Sequence, residues 1–163
     1  MVPSSGVFAT RLPAYLEEDM TVAVILKHKG AKVETVRPTA TVHQVSDLLA
    51  SKKIGAVVVT GTAGDVVGVV SERDIVHAVA RHGVRSLDRS VEEIMTRDVT
   101  TCRLTDSSYE LMEMMTRGRF RHVPVVEGGK LVGIVSIGDI VKRRIEDADL
   151  ERVAMRDYIA QAG

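Results

Sequence analysis

Apolar residues change their period repeatedly along the chain. Val42, Val45, Leu48 and Leu49 recur at mainly helical spacing, and Ser108, Leu111, Met114 and Met115 repeat the pattern, so each half carries a short amphipathic helix. Two valine-rich runs follow each helix, separated by Gly61-Thr-Ala-Gly-Asp65 in the first half and Glu127-Gly-Gly-Lys130 in the second. Turn residues between β-rich runs predict a hairpin in each half. Ile75, Val76 and Val79 predict a further helix that Gly83 ends. Met20 to Lys29 reads as an extra helix leading into the first half, and Leu150, Val153, Ala154 and Tyr158 share one face of a helix that closes the chain. Two readings of that last face stay open: it folds back on its own core, or it meets a second copy.

The two halves are copies of one another. Gly68-Val-Val-Ser-Glu-Arg-Asp-Ile-Val76 returns as Gly133-Ile-Val-Ser-Ile-Gly-Asp-Ile-Val141, an offset of 65. Upstream, Val33, Thr35, Arg37, Thr39, Val57 and Val59 reappear as Val99, Thr101, Arg103, Thr105, Val123 and Val125 at an offset of 66, the hairpin loop absorbing the difference. Each copy reads as strand, helix, strand, strand, helix, an α/β class. A unit of roughly 55 residues buries too little surface alone, so the copies are expected to pack on each other through their strand faces. The expected division is an N-terminal segment with its leading helix (1–30), repeat 1 (31–84), repeat 2 (91–146) and a helical tail (147–163).

Composition narrows the partners. Apolar residues make up 45% and aromatics 3%, with no Trp, so the core is built from small aliphatic side chains and Met. Charges balance at 22 basic and 22 acidic residues, which disfavours a general nucleic-acid binder. No secretory leader or membrane-length apolar run is visible, and the one cysteine, Cys102, has no internal partner, so a reducing, cytoplasmic setting is expected.

The sharpest chemical signal is Gly-x-x-Ser-x-x-Asp, with Ser71 and Asp74 in one copy and Ser136 and Asp139 in the other. Each motif sits where a strand gives way to a helix, so the free N–H groups and positive dipole end there offer an anion seat. The Asp, three residues on, can accept hydrogen bonds from the vicinal hydroxyls of a ribose. Ser-x-x-acid is equally close to a simple capping box, the commoner meaning of that spacing, and duplication would copy a cap as faithfully as a site. A second cluster, Arg117, Arg119, Arg121 and His122, precedes the strand Val123-Pro-Val-Val126. Such a run is commonly a solvated helix end. In an extended segment Arg119 and Arg121 would point together and His122 the other way. The matching positions in repeat 1 are Lys53, Gly55 and Ala56, and Gly55 would let a ligand approach the backbone. The five histidines show no zinc spacing, Gly129-Lys130 is not a P-loop, and no nucleophile has a visible base partner.

Lys53-Ile-Gly-Ala-Val-Val-Val59, Gly68 to Ile75, Val91-Glu-Glu-Ile-Met-Thr96, Arg119-Phe-Arg-His-Val-Pro-Val125 and Gly133 to Ile140, in this order and spacing, resemble a pair of cystathionine β-synthase (CBS) domains over about Ala31 to Glu146. The resemblance implies two β-α-β-β-α units joined through their sheets with pseudo-twofold symmetry, often in a disc-shaped homodimer. It also implies clefts between the repeats for AMP, ADP, ATP, NAD(H) or S-adenosylmethionine, AMP ranking first, with no metal required. Carried onto this chain, Asp74 and Asp139 would hold ribose hydroxyls and Ser71 and Ser136 would approach phosphate. Thr35, Ile54, Gly55 and Ala56 would line the base pocket of one cleft, and Thr101, Phe120, Arg121, His122 and Pro124 the other. Arg119 or Arg121 would add a phosphate contact, and Thr96 would reach across from the linker. Arg73 stands in the first motif where the second has Gly138, and the second cleft is expected to have more cations at its entrance, so unequal affinities follow. The expected function is a non-catalytic adenine-nucleotide sensor that acts on another, unknown protein or by sequestering the nucleotide. Its rivals are an interaction adaptor whose Ser and Asp serve only as caps, and an enzyme acting on bound nucleotide, for which no acid, base or metal constellation is visible.

Overall fold

The computed structural model describes residues 20–162. Helix α1 (Val22–Lys29) comes first, followed by β1 (Thr35–Val36), α2 (Val42–Lys52), β2 (Ala56–Thr60), β3 (Val66–Ser71) and α3 (Glu72–His82). Two short 3-10 turns, Val84–Asp88 and Val91–Glu93, bridge to α4 (Ser108–Gly118), β4 (His122–Glu127), β5 (Lys130–Ser136) and α5 (Ile137–Ala162). In the first repeat β1 runs parallel to β2, which pairs antiparallel with β3. The second repeat keeps the hairpin, β4 against β5.

Its first strand is reduced to one parallel bridge, Cys102 to Val125, where a strand was expected. Proline explains the loss. In repeat 1 the Val58 N–H donates to the Glu34 carbonyl at 3.3 Å and ties β1 to β2. The equivalent of Val58 is Pro124, which has no N–H to give. Only the bonds from Cys102 N to Pro124 O and from Val126 N to Cys102 O remain, at 3.0 and 2.9 Å.

Each repeat builds its own core. Val42, Val45 and Leu49 of α2 meet Val57, Val59 and Val70 of the hairpin, with Val91 and Met95 of the linker closing the cluster. Leu111 and Met115 of α4 meet Val123, Val125 and Val135, joined by Ile140 of α5 and by Val22, Ile25 and Leu26 of α1. Helix α1 therefore precedes the first repeat in sequence but packs on the second. Val58 and Pro124, on the opposite faces of β2 and β4, are also buried, so each sheet is covered on both sides. That second cover is the other repeat, and the two are related by a pseudo-twofold axis.

The expected separate closing helix is instead the continuation of α5. Gly83, which ends α3, corresponds to Ala148, which has no reason to stop a helix, and α5 runs on unbroken. Leu150, Val153 and Tyr158 are exposed, so the tail does not fold back on its own core. Among the described residues no helix is long and apolar enough to cross a membrane.

Candidate functional site

Both Ser-x-x-Asp motifs are complete capping boxes. Ser71 ends β3 and caps α3: its N–H and Oγ–H both donate to Asp74 Oδ2 at 2.7 Å, and Asp74 N–H donates back to Ser71 Oγ at 3.4 Å. Ser136 and Asp139 repeat this at the start of α5, with Ser136 N to Asp139 Oδ2 at 2.7 Å and Asp139 N to Ser136 Oγ at 3.1 Å. The cap uses one carboxylate oxygen, Oδ2. In both motifs Oδ1 takes no hydrogen bond from the described residues, so capping leaves an acceptor free.

Ser71 and Asp74 open onto a cleft of about 580 Å3 between the repeats. This lies within the usual range for small-molecule sites. One wall is the start of α3 with Arg73. A second is the linker, held against β3 by paired backbone bonds between Val69 and Thr96, both 3.0 Å, and continuing past Asp98 to Thr100. The third comes from the other repeat: the turn of Arg119, Phe120, Arg121 and His122, followed by Ser136 at the head of α5. Arg73 Nη1 crosses the cleft to donate to the Arg119 carbonyl at 2.7 Å. Val69, Val99, Phe120 and Ile137 supply apolar surface, and three arginines and the acids Glu72, Asp74 and Asp98 supply charge of both signs.

Two long helices, α3 and α5, direct their N-termini into this one cleft. Their first N–H groups are engaged, Glu72 N with Gly55 O at 3.1 Å and Ile137 N with Arg121 O at 2.9 Å. The N–H groups of Arg73 and Gly138 are next in each first turn, where no intrahelical acceptor exists. His122 is half-buried beside them. Burial pushes its imidazole below the ordinary histidine range, and the Arg121 guanidinium adds to the effect, outweighing the opposing pull of Asp139 and Glu72.

The structure regroups the sequence-predicted residues. Gly55, Ser71, Arg73, Asp74 and Thr96 come together with Arg119, Phe120, Arg121, His122 and Ser136 in one cleft. The basic turn, expected to line the cleft of Asp139, lines that of Asp74, because the pseudo-twofold packing sets the start of β4 opposite the start of α3. The predicted alternation of Arg119, Arg121 and His122 fails because Arg119 is left-handed, with φ of 55°, and ends α4 as Lys53 ends α2. Gly55 gives its open face to His122 rather than to a ligand: a Cβ there would stand 3.0 Å from Cε1 and Nε2 of that ring. Thr35, Ile54, Ala56, Thr101 and Pro124 do not line this cleft; Ala56 and Pro124 are buried in the sheets, and Thr35 and Thr101 lie exposed outside it. Asp98 and Thr100 were not anticipated; their position just beyond Thr96 was the available signal.

Asp139 is differently placed. Lys29, at the end of α1, sets its Nζ 2.6 Å from Asp139 Oδ2, with the two side chains only 28% and 23% exposed. Burial pushes the Asp139 carboxyl up, but the hydrogen bonds from Lys29 and the Ser136 amide outweigh it and hold the group below its usual range. Elsewhere, burial and then the charges of Asp106 and Glu127 push the Cys102 thiol up to about 12, so it is no nucleophile at neutral pH. Among the described residues no group of three His, Cys, Asp or Glu is placed to hold a metal ion.

Comparison with known proteins bears on the whole module. The family model for the CBS domain matches residues 30–81 and again 91–146. A CBS-domain containing protein from Agrobacterium tumefaciens is 48% identical, with a TM-score of 0.75 over 77% of this chain and 94% of that one. A CBS domain protein from Pyrobaculum aerophilum, solved with AMP, is 36% identical, with a TM-score of 0.66 over 74% and 89% of the two chains. A CBS domain pair solved with 5′-methylthioadenosine and S-adenosyl-L-methionine is 25% identical, with a TM-score of 0.70 over 78% and 98%. With both halves matched and the two-repeat architecture shared along nearly the full length of these structures, the chain belongs to the CBS-domain family, as a tandem pair.

Proposed function

We propose that the chain is a regulatory module that binds an adenine nucleotide, AMP in first rank, in the cleft of Ser71 and Asp74, and that it acts on a partner protein rather than on its ligand. One observation carries the reading: a free carboxylate oxygen on Asp74, two helix N-termini and three arginines converge on a single, partly apolar cleft. Asp74 Oδ1 would accept from ribose hydroxyls, Val69, Val99 and Phe120 would flank the base, and the first-turn N–H groups with Arg121 would meet phosphate. The relatives solved with AMP and with S-adenosyl-L-methionine support an adenosine-type ligand. ADP, ATP and NAD(H) share the adenosine moiety and compete for the assignment.

The test is thermal unfolding of nucleotide-stripped protein against AMP, ADP, ATP, NAD, NADH and S-adenosylmethionine, with calorimetry on each hit. A ligand of the native state raises stability by RT ln(1 + [L]/Kd), about 2.7 kcal/mol at a hundredfold excess over Kd. No stabilisation across the panel would overturn the sensor reading and favour the adaptor, for which the complete capping boxes at Ser71 and Ser136 are sufficient explanation.

A further inference from the structure

The pseudo-twofold extends beyond the two repeats to the segments that precede them. Thr21 bridges to Ser107, the N-cap of α4, as Ser90 bridges to Thr41, the N-cap of α2. Val22 N donates to Asp106 O and Ser108 N to Met20 O, at 2.9 and 2.7 Å; Val42 N donates to Arg89 O and Val91 N to Ala40 O, at 2.9 and 2.8 Å. Leu26 packs over Gly133 as Met95 packs over Gly68. Thr21 to Leu26 and Ser90 to Met95 are therefore one device used twice, each sealing a core and each delivering the chain toward a Ser-x-x-Asp motif.

Beyond Leu26 and Met95 the two paths diverge. The linker turns extended at Thr96, pairs with Val69 and leaves the Asp74 cleft open. Helix α1 instead continues to Lys29, whose ammonium rests on the Asp139 carboxylate. On the nucleotide-binding reading above, on which this step rests, ribose hydroxyls would approach the Asp139 carboxylate. Lys29 shares Oδ2 with the Ser136 amide and leaves Oδ1 without a donor, so closure works by the ammonium's charge and bulk against the carboxylate and not by loss of the free acceptor. We infer that Lys29 is a built-in counter-ion that closes the second nucleotide site, so that the chain takes one nucleotide at Asp74 and admits another at Asp139 only when the end of α1 lifts away. The second site is thereby coupled to α1, whose other face is part of the second repeat's core.

Calorimetric titration with AMP tests this with four proteins: wild type, Asp74→Ala, Asp74→Ala with Lys29→Gln, and that pair with Asp139→Ala added. Wild type is expected to bind one AMP per chain and Asp74→Ala none at the same concentrations. Adding Lys29→Gln is expected to restore one site, tightening it at least about tenfold relative to Asp74→Ala alone, and Asp139→Ala to remove it again. Thermal unfolding of each variant checks that it is folded, and Lys29→Ala serves as a second gate variant. A wild type that binds two AMP, or a double variant that stays silent while folded, overturns the gate and leaves the Asp74 site standing. A wild type that binds none overturns the site and the gate together.

Discussion

Replacing Asp74 separates a cap from a ligand contact, because the carboxylate serves both through different oxygens. Its Oδ2 receives the Ser71 N–H and hydroxyl at 2.7 Å, while Oδ1 takes no part in the cap and the residue lines the cleft. Asp74→Ala removes both oxygens. Losing the bonds that Oδ2 accepts, while Ser71 Oγ still caps the helix, costs about 1 kcal/mol, which for a protein of this size lowers Tm by roughly 3 °C. Asp74→Asn keeps one amide oxygen for the Ser71 N–H, so its cost is expected at a few tenths of a kcal/mol, the size of a weakened rather than a lost cap. It replaces the remaining acceptor with an NH2 group, which cannot accept from a ribose hydroxyl. The two variants should therefore differ in unliganded Tm but agree in losing the AMP-induced rise, which in wild type is about 2.7 kcal/mol at a hundredfold excess over Kd. Differential scanning fluorimetry with and without AMP reads both quantities. If both variants keep the full AMP shift, Asp74 is only a cap and the ribose assignment is refuted.

Other expectations follow from neighbouring geometry. Because burial and Arg121 hold the folded-state pKa of His122 below its unfolded value of about 6.5, the unfolded chain binds the extra proton first; stability contributed by this group is complete above that value and is lost as pH falls toward the folded pKa. Urea midpoints between pH 7.5 and 5 should fall less steeply for His122→Asn than for wild type, and equal slopes would contradict the burial argument. Gly133→Ala forces a Cβ to within 2.5 Å of Leu26 Cδ1, and overpacking of this kind costs about 1–3 kcal/mol, read as a lower urea midpoint at unchanged m-value. Cys102, buried and with its thiol pushed up to about 12, should react with a thiol reagent only at the rate of global opening in native buffer and rapidly in denaturant.

Much of the fold was legible because each repeat states it twice in short-range terms. The helix period of Val42, Val45 and Leu49, the turn residues between paired valine runs and Gly83 after α3 are all local signals, and the helices and hairpins stand where those signals put them. The shortfalls are long-range or depend on a missing group. Pro124 reads as an ordinary strand residue until its partner is known; the strand it cripples lies more than twenty positions upstream. Helix α1 was legible as a helix, but nothing local says that its apolar face serves the second repeat. The chemical residues were found by their motif, yet their distribution between clefts was not, since that is set by how one repeat sits on the other. Arg121 belongs with Asp74 through packing alone.

The closed state of Asp139 has a sequence cause that becomes readable once the two preceding segments are recognised as equivalent. Leu26 and Met95, which fill the same place in the two halves, stand 69 positions apart, whereas Thr35 and Thr101 stand 66 apart. The first copy therefore holds three more residues between its core segment and its first strand. Three residues are nearly one helical turn, and α1 uses such a turn, continuing through Lys27 and His28 to Lys29 before Gly30 releases the chain. The linker, lacking that surplus, leaves its helical turn at once and runs extended past Thr96. Three residues thus account for an open cleft on one side of the pseudo-twofold axis and a lysine on the carboxylate of the other. Deleting Lys27, His28 and Lys29 should remove the lysine and the turn together, giving calorimetric titrations with two AMP sites per chain; one site in a folded deletion variant would show that the asymmetry has another origin.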